Sequence, residues 1–176
     1  MQARLKNDTS IHLNNYGLSN KKKKVKYKDY GNNSTVNTLF SNSSYHDKQL
    51  SFQLKTSNLE TGDGYCLSKN IEAIDYLKID VEGAEHLVLE GFSCLLKKQK
   101  IRIIQFEYGY INGDTKFLMR DFYQFFNGLD YIVGRVTKDG VAFEEFNYKI
   151  NEFKSGPNYV AIHSKDVAII NKIKRK

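Results

Sequence analysis

Between residues 75 and 85 the chain gathers four carboxylates, Asp75, Asp80, Glu82 and Glu85, in the stretch "DYLKIDVEGAE". Another, Glu107, ends the apolar run "IRIIQFE" at 101–107. Two apolar runs that each finish in acid read as two strands whose exits share one edge of a sheet, the place where open α/β sheets bind ligands. Asp80 and Glu82 stand two apart, so in extended backbone they point the same way. Carboxylates so placed can take a proton from a hydroxyl or face a positively charged reactant. On that reading Asp80 and Glu82 are the candidate general bases, and Glu107 positions a substrate. The same spacing supports a plainer use. Glu82 and Glu85 in the first turn of a helix favour its macrodipole, and Asp80 can cap that helix. Spacing alone leaves both uses open.

No metal is expected, because hard cations usually take more oxygen ligands than three carboxylates supply. Glu85 reads as structural or exposed, and its neighbour His86 as a solvent-facing helix residue. His12, His46 and His163 are isolated and lack metal-ligand spacing.

The elements that must position these groups follow from periodicity. Ile11 and Leu13 alternate with polar residues in "TSIHLNNYGLS" (9–19), which predicts a strand punctuated by Gly17. "NKKKKV" is a polar turn and "VKYKDY" (25–30) a short strand. Residues 31–48 are rich in Asn and Ser and read as a loop, while "LSFQLKTSNL" (50–59) alternates as a strand. "TGDG" (61–64) is a turn or helix approach, "CLSKNIEAID" (66–75) a short helix or loop, and "YLKID" (76–80) a strand. From Ala84, apolar residues at Leu87, Val88, Gly91, Phe92 and Leu95 keep helical spacing, and "KKQK" (97–100) closes that helix with positive charge. "IRIIQFEYG" (101–109) is mostly apolar, as strands buried on both faces are. "KFLMRDFYQFFNG" (116–128) predicts an amphipathic helix closed by Gly128. "YIVGRVT", "VAFEEF" and "NYVAIHS" predict strands at 131–137, 141–146 and 158–164. Strands alternating with helices imply an α/β fold with a mostly parallel sheet and an antiparallel edge.

With 176 residues, 40% hydrophobic and 27% charged, the chain suits one globular domain. Its formal charge of +7 sits largely in "KKKKVKYK" (21–28) and in a basic tail at 165–176. Lysine runs of this kind are usually solvated faces. Nucleic-acid binding ranks last, because no aromatic-interleaved basic motif supports it. Two unclustered cysteines, Cys66 and Cys94, point to a reduced cytoplasmic protein rather than a disulfide framework or zinc site. No apolar run reaches the roughly 18–20 residues of a membrane span. The N-terminus lacks the apolar segment of a secretory signal.

The segment "IDYLKIDVEGAEHLVLEGF", followed by "IIQFEYG", closely resembles the FkbM family of S-adenosylmethionine-dependent methyltransferases. "NYGLS" (15–19), "TGDGYCLSKNIEAID" (61–75), "FYQFFNGLDY" (122–131) and "NYVAIH" (158–163) fit it as well. The resemblance implies a Rossmann-like methyltransferase sheet and O-methylation of a sugar or secondary-metabolite hydroxyl, with a small-molecule or glycan acceptor. It implies that "SIHLNNYGLS", "YLKID" and "IIQFE" are the third, fourth and fifth core strands. Gly17 and Leu18 would then lie near the adenine of the cofactor, and Asp80 at the methyl-transfer centre. Glu82 and Glu107 carry over more loosely.

The family's glycine-rich turn, of the type D-x-G-x-x-x-G, and the acid that binds the cofactor ribose have no match here. The resemblance therefore implies a single domain over 1–176 that corresponds to the C-terminal part of such an enzyme, without its first two strands. The alternative to a competent methyltransferase is an inactive or truncated fragment, or a partner subunit of a chain that supplies the cofactor-binding half. Strands removed from the middle of a sheet leave exposed edges behind.

Overall fold

Lysines alternating with Val25 and Tyr27 suit a strand with one wet face, and the second half of the run read as a polar turn, from Lys23, is strand. The structure, a computed structural model, describes residues 10–31, 39, 51–152 and 158–176. Strand β1 (Gly17–Leu18), β2 (Lys23–Asp29) and β3 (Gln53–Glu60) form a small sheet in the order β1-β3-β2. β1 runs parallel and β2 antiparallel to β3. Lys22 pairs with Glu60 at 2.9 Å, and Lys28 lies 4.4 Å over the Phe52 ring. The strand expected around Ile11 and Leu13 does not form, and both side chains are exposed. Most of the loop expected at 31–48 lies outside the described residues.

The Thr61 hydroxyl accepts from Gly64 N at 3.1 Å and starts α1 (Gly62–Ser68). The chain continues through β4 (Ile74–Ile79), α2 (Glu85–Gly91), α3 (Ser93–Lys97) and β5 (Ile101–Glu107). The single helix expected from Ala84 to about 97 is two helices, broken at Phe92. Packing explains the break. The Phe92 ring fills the space of a Cβ on Gly62, 2.3 Å away, and Gly91 lies so close to β1 that its Cβ would meet the Ser19 carbonyl oxygen at 2.2 Å. The N-terminal amides freed by the break find a carboxylate from α1. Cys94 N and Leu95 N donate to Asp63 at 2.7 and 3.0 Å, the arrangement of a side-chain N-cap.

Beyond β5 come α4 (Ile111–Thr115), α5 (Met119–Asn127), β6 (Tyr131–Thr137), β7 (Gly140–Phe143), a π-helical turn at Tyr148–Glu152, β8 (Asn158–His163) and α6 (Val167–Ile173). The larger sheet has the order β4-β5-β8-β6-β7. Here the mostly parallel sheet with an antiparallel edge is corrected. Among the described residues of this sheet only β4 and β5 pair in parallel, because β8 inserts between β5 and β6 and is antiparallel to both. β4 is an edge strand with a partner only on its β5 side among the described residues, and Tyr76 on it is 51% exposed.

One face of this sheet carries the core. Ile79, Ile104, Phe106, Tyr159 and Ala161 pack with Val88, Leu89 and Phe92 from the helix side and with Met119, Phe122 and Phe126 of α5. Phe106 stacks on Phe122 at 4.7 Å and on Tyr159 at 5.7 Å. The basic tail expected at 165–176 contains α6, capped by Asp166, whose carboxylate also receives Arg102 Nε at 2.7 Å. Lys174 then bridges to Val141 along the outer side of β7. Among the described residues no helix is long and apolar enough to cross a membrane. Cys66 and Cys94 are free thiols.

Candidate functional site

β4 stops at Ile79, so Asp80 and Glu82 are not aligned by extended backbone as the sequence suggested. A turn does it instead. Glu82 has φ +52° and Gly83 +98°, two successive left-handed residues that reverse the chain before α2. The second needs glycine for two reasons: its φ strains any other residue, and a Cβ there would sit 2.9 Å from Ile111 of α4. On the neighbouring strand, Phe106 is the registered partner of Ile79, so Glu107 leaves β5 beside Asp80. Carboxylate oxygens of Asp80, Glu82 and Glu107 all lie within 4.8 Å of one another. The three acids expected to share one sheet edge are brought together.

Their protons are held very differently. Lys78 of β4 donates to Asp80 just beyond the strand's end. That ammonium keeps the Asp80 carboxyl below the ordinary range, against some burial. Glu107 is pushed up, first by burial and then by its bond to Asp80. Glu82 is pushed up to about 7, first by burial, then by the charges of Glu107, Asp80 and Glu85. The group therefore combines an ionised acid with one that exchanges its proton near neutral pH, the pairing of unlike environments that acid–base sites use. Beside it on the same sheet face runs a polar row: Tyr76 OH donates to Gln105, and Gln105 Nε2 donates to Asn158 at 2.7 Å.

Three oxygens this close can face one cation. Lys78 already supplies positive charge to Asp80.

Glu85 is only 1% exposed. Its Oε1 accepts from Val81 N and Gly83 N, both at 3.2 Å, and Asn112 Nδ2 reaches Oε2 at 3.5 Å. Structural was the right reading and exposed was not. Burial holds the Glu85 carboxyl above its ordinary value, against those hydrogen bonds. His86 is half-buried rather than solvent-facing; it stacks on Phe117 at 4.7 Å, and burial lowers its pKa. His12 is exposed, His163 is half-buried with its ring edge-on to Tyr131, and His46 lies outside the described residues. Lys78 and Asn112 escaped the sequence reading. For Lys78 the signal was present, an i, i+2 partner of Asp80 in the strand expected at 76–80; for Asn112 there was none.

Gly17 and Leu18 stand apart from the carboxylates. They pair with Leu59 and Glu60 of β3, and Leu18 packs on the core. The following Asn20 donates to Glu90 at 2.8 Å, at the far end of α2.

The methyltransferase FkbM domain matches residues 2–133, a span that takes in β1 to β5 and all three clustered carboxylates. No curated protein matches, and no solved structure does either. With most of its length matched, the chain belongs to the FkbM family of methyltransferases.

Proposed function

We propose that the chain is an S-adenosylmethionine-dependent methyltransferase that methylates a hydroxyl of a small-molecule or glycan acceptor, with Asp80, Glu82 and Glu107 at the reaction centre. The single observation that carries this is the meeting of the three carboxylates at the paired exits of β4 and β5. When bound, the cofactor supplies an electrophilic methyl on a cationic sulfonium. The donor set suits such a cation, since an ionised Asp80 and two half-buried glutamates face one space. Gly17 and Leu18 would hold the adenine end. In the mechanism, Glu82 takes the hydroxyl proton on one of its carboxylate oxygens. Its pKa near 7 makes it a usable base at neutral pH. Asp80, kept ionised by Lys78, provides fixed negative charge. Glu107 orients the acceptor, and the Tyr76–Gln105–Asn158 row offers further polar contacts alongside. Such transfer depends on holding the oxygen in line with the methyl group.

A second reading, a partner subunit or fragment that needs another polypeptide for cofactor binding, is favoured by the open outer edge of β4 with Tyr76 half-exposed on it. Calorimetric titration of the purified chain with S-adenosylmethionine separates the two. Micromolar binding, with S-adenosylhomocysteine formed when a hydroxyl acceptor is added, supports the catalyst. Binding that appears only with a polypeptide bearing a D-x-G-x-x-x-G turn supports the partner.

A further inference from the structure

We propose that Glu85 and Asn112 are positioning residues that rivet the exit turn of β4 to the exit turn of β5, and so hold Glu82 beside Asp80 and Glu107. The inference deepens the functional reading and rests on it in one respect, that the three carboxylates are the reaction centre.

The geometry runs through one buried carboxylate. Glu85 Oε1 takes both backbone amides that flank Glu82, those of Val81 and Gly83, at 3.2 Å each. Glu82 is the residue between them, and it carries the left-handed φ of +52°. A non-glycine residue in that region costs energy unless its surroundings hold it there. A single acceptor gripping the amides on either side is such a hold. The other oxygen of Glu85 reaches Asn112 Nδ2 at 3.5 Å. Asn112 is itself 1% exposed, and its Oδ1 accepts from Gly109 N at 2.8 Å. Gly109 lies two residues beyond Glu107. The path from the turn bearing Glu82 to the turn after Glu107 is therefore Val81 and Gly83, Glu85, Asn112, Gly109, all hydrogen-bonded.

Burial sharpens the dependence. Buried donors left without acceptors cost more than the bonds they lose, so the two turns cannot separate cheaply while Glu85 and Asn112 are in place. Both residues are 1% exposed, and their side chains bond to the Val81, Gly83 and Gly109 amides and to each other. Their effect on the reaction passes through Glu82 and Glu107, which distinguishes positioning from catalysis.

The test reads the carboxylates themselves and needs no turnover. The side-chain carboxyl of Glu82, assigned with Glu82→Gln, is titrated by carbon-13 NMR in the wild-type chain, Glu85→Gln, Glu85→Ala and Asn112→Ala. Amide exchange of Ile104 and Phe106 on β5 checks that each variant is folded. Gln keeps an acceptor for both amides, so Glu85→Gln should leave Glu82 well above the ordinary carboxyl range. Glu85→Ala and Asn112→Ala should each bring it down by about one pH unit or more, as its burial and like-charged neighbours are lost. A folded Asn112→Ala variant in which Glu82 titrates as in the wild type would overturn the proposal. So would a Glu85→Gln variant that falls as far as Glu85→Ala. Should Glu85→Ala not fold, Asn112→Ala decides alone, since it leaves the grip on the two amides intact. Failure of methyl transfer in the wild-type chain would count against the functional reading and leave the titration result standing.

Discussion

Asp80 and Glu107 leave two parallel strands side by side, because the residues before them, Ile79 and Phe106, are registered partners in the β4–β5 ladder. Yet they titrate apart: Lys78 holds Asp80 low, while burial and the bond to Asp80 hold Glu107 high. Asp80→Asn removes the ionised member. As fixed negative charge at the reaction centre is lost, methyl transfer should fall by ~10²-fold, and the Glu107 pKa should drop as its like-charged neighbour disappears. An initial-rate assay and an NMR titration check the two effects. An unchanged rate would reduce Asp80 to a residue of the turn.

Glu82 acts as a base only when ionised. With its pKa at about 7, kcat/KM should rise roughly tenfold per pH unit below that value and level off above it. Glu82→Gln should lose this limb and about 10²–10⁴-fold in rate. A pH–rate profile of the two proteins, recorded between pH 5 and 9, is the measurement. A wild-type profile flat across pH 7 would remove Glu82 from the proton transfer.

The raised Glu82 pKa also has a cost in stability. Its ordinary value is 4.5, and in the folded chain it is about 7. Below pH 4.5 the group is protonated folded or unfolded and contributes nothing. Between the two values the unfolded chain releases the proton and the folded chain keeps it, so the penalty grows as pH rises and is complete above 7. For a half-buried group, screening by solvent leaves about 1–2 kcal/mol. Glu82→Gln should therefore be more stable than wild type by that amount at pH 8 and equal to it at pH 4. Urea denaturation at both pH values tests this, and a difference of the opposite sign would contradict the burial argument.

What the sequence made legible follows from how local each signal is. Apolar runs ending in acid located the exits of β4 and β5, and with them the meeting of Asp80, Glu82 and Glu107. The reason for the meeting was hidden, since nothing in "KIDVEGAE" beyond Gly83 announces a left-handed Glu82. Glu85 looked like a first-turn acid because its second partner, Asn112, lies 27 residues away. The break at Phe92 depends on the close seat opposite Gly62, and the central place of β8 on pairings with β5 and β6. Both are contacts between distant segments, which periodicity does not register.

Glu152 carries the last prediction. It is 8% exposed, on the π-helical turn, and closes the N-terminus of α5. Its Oε1 accepts from Tyr108 OH at 2.7 Å and from Met119 N at 3.2 Å, and its Oε2 from Arg120 N at 3.1 Å. Burial first, then the Glu152 carboxylate, pushes the Tyr108 phenol well above its ordinary pKa, so Tyr108 stays a donor throughout the accessible pH range. Tyr108 directly follows Glu107, and the turn thereby anchors the exit of β5 to α5. Glu152→Ala would strand one phenol and two amides, a loss of about 2–4 kcal/mol. Glu152→Gln keeps one good acceptor but turns an amide nitrogen toward Arg120 N, and should cost about 1 kcal/mol. Thermal unfolding of the two variants measures the difference. Equal and small losses would mean that water replaces the carboxylate and that the anchor lies elsewhere.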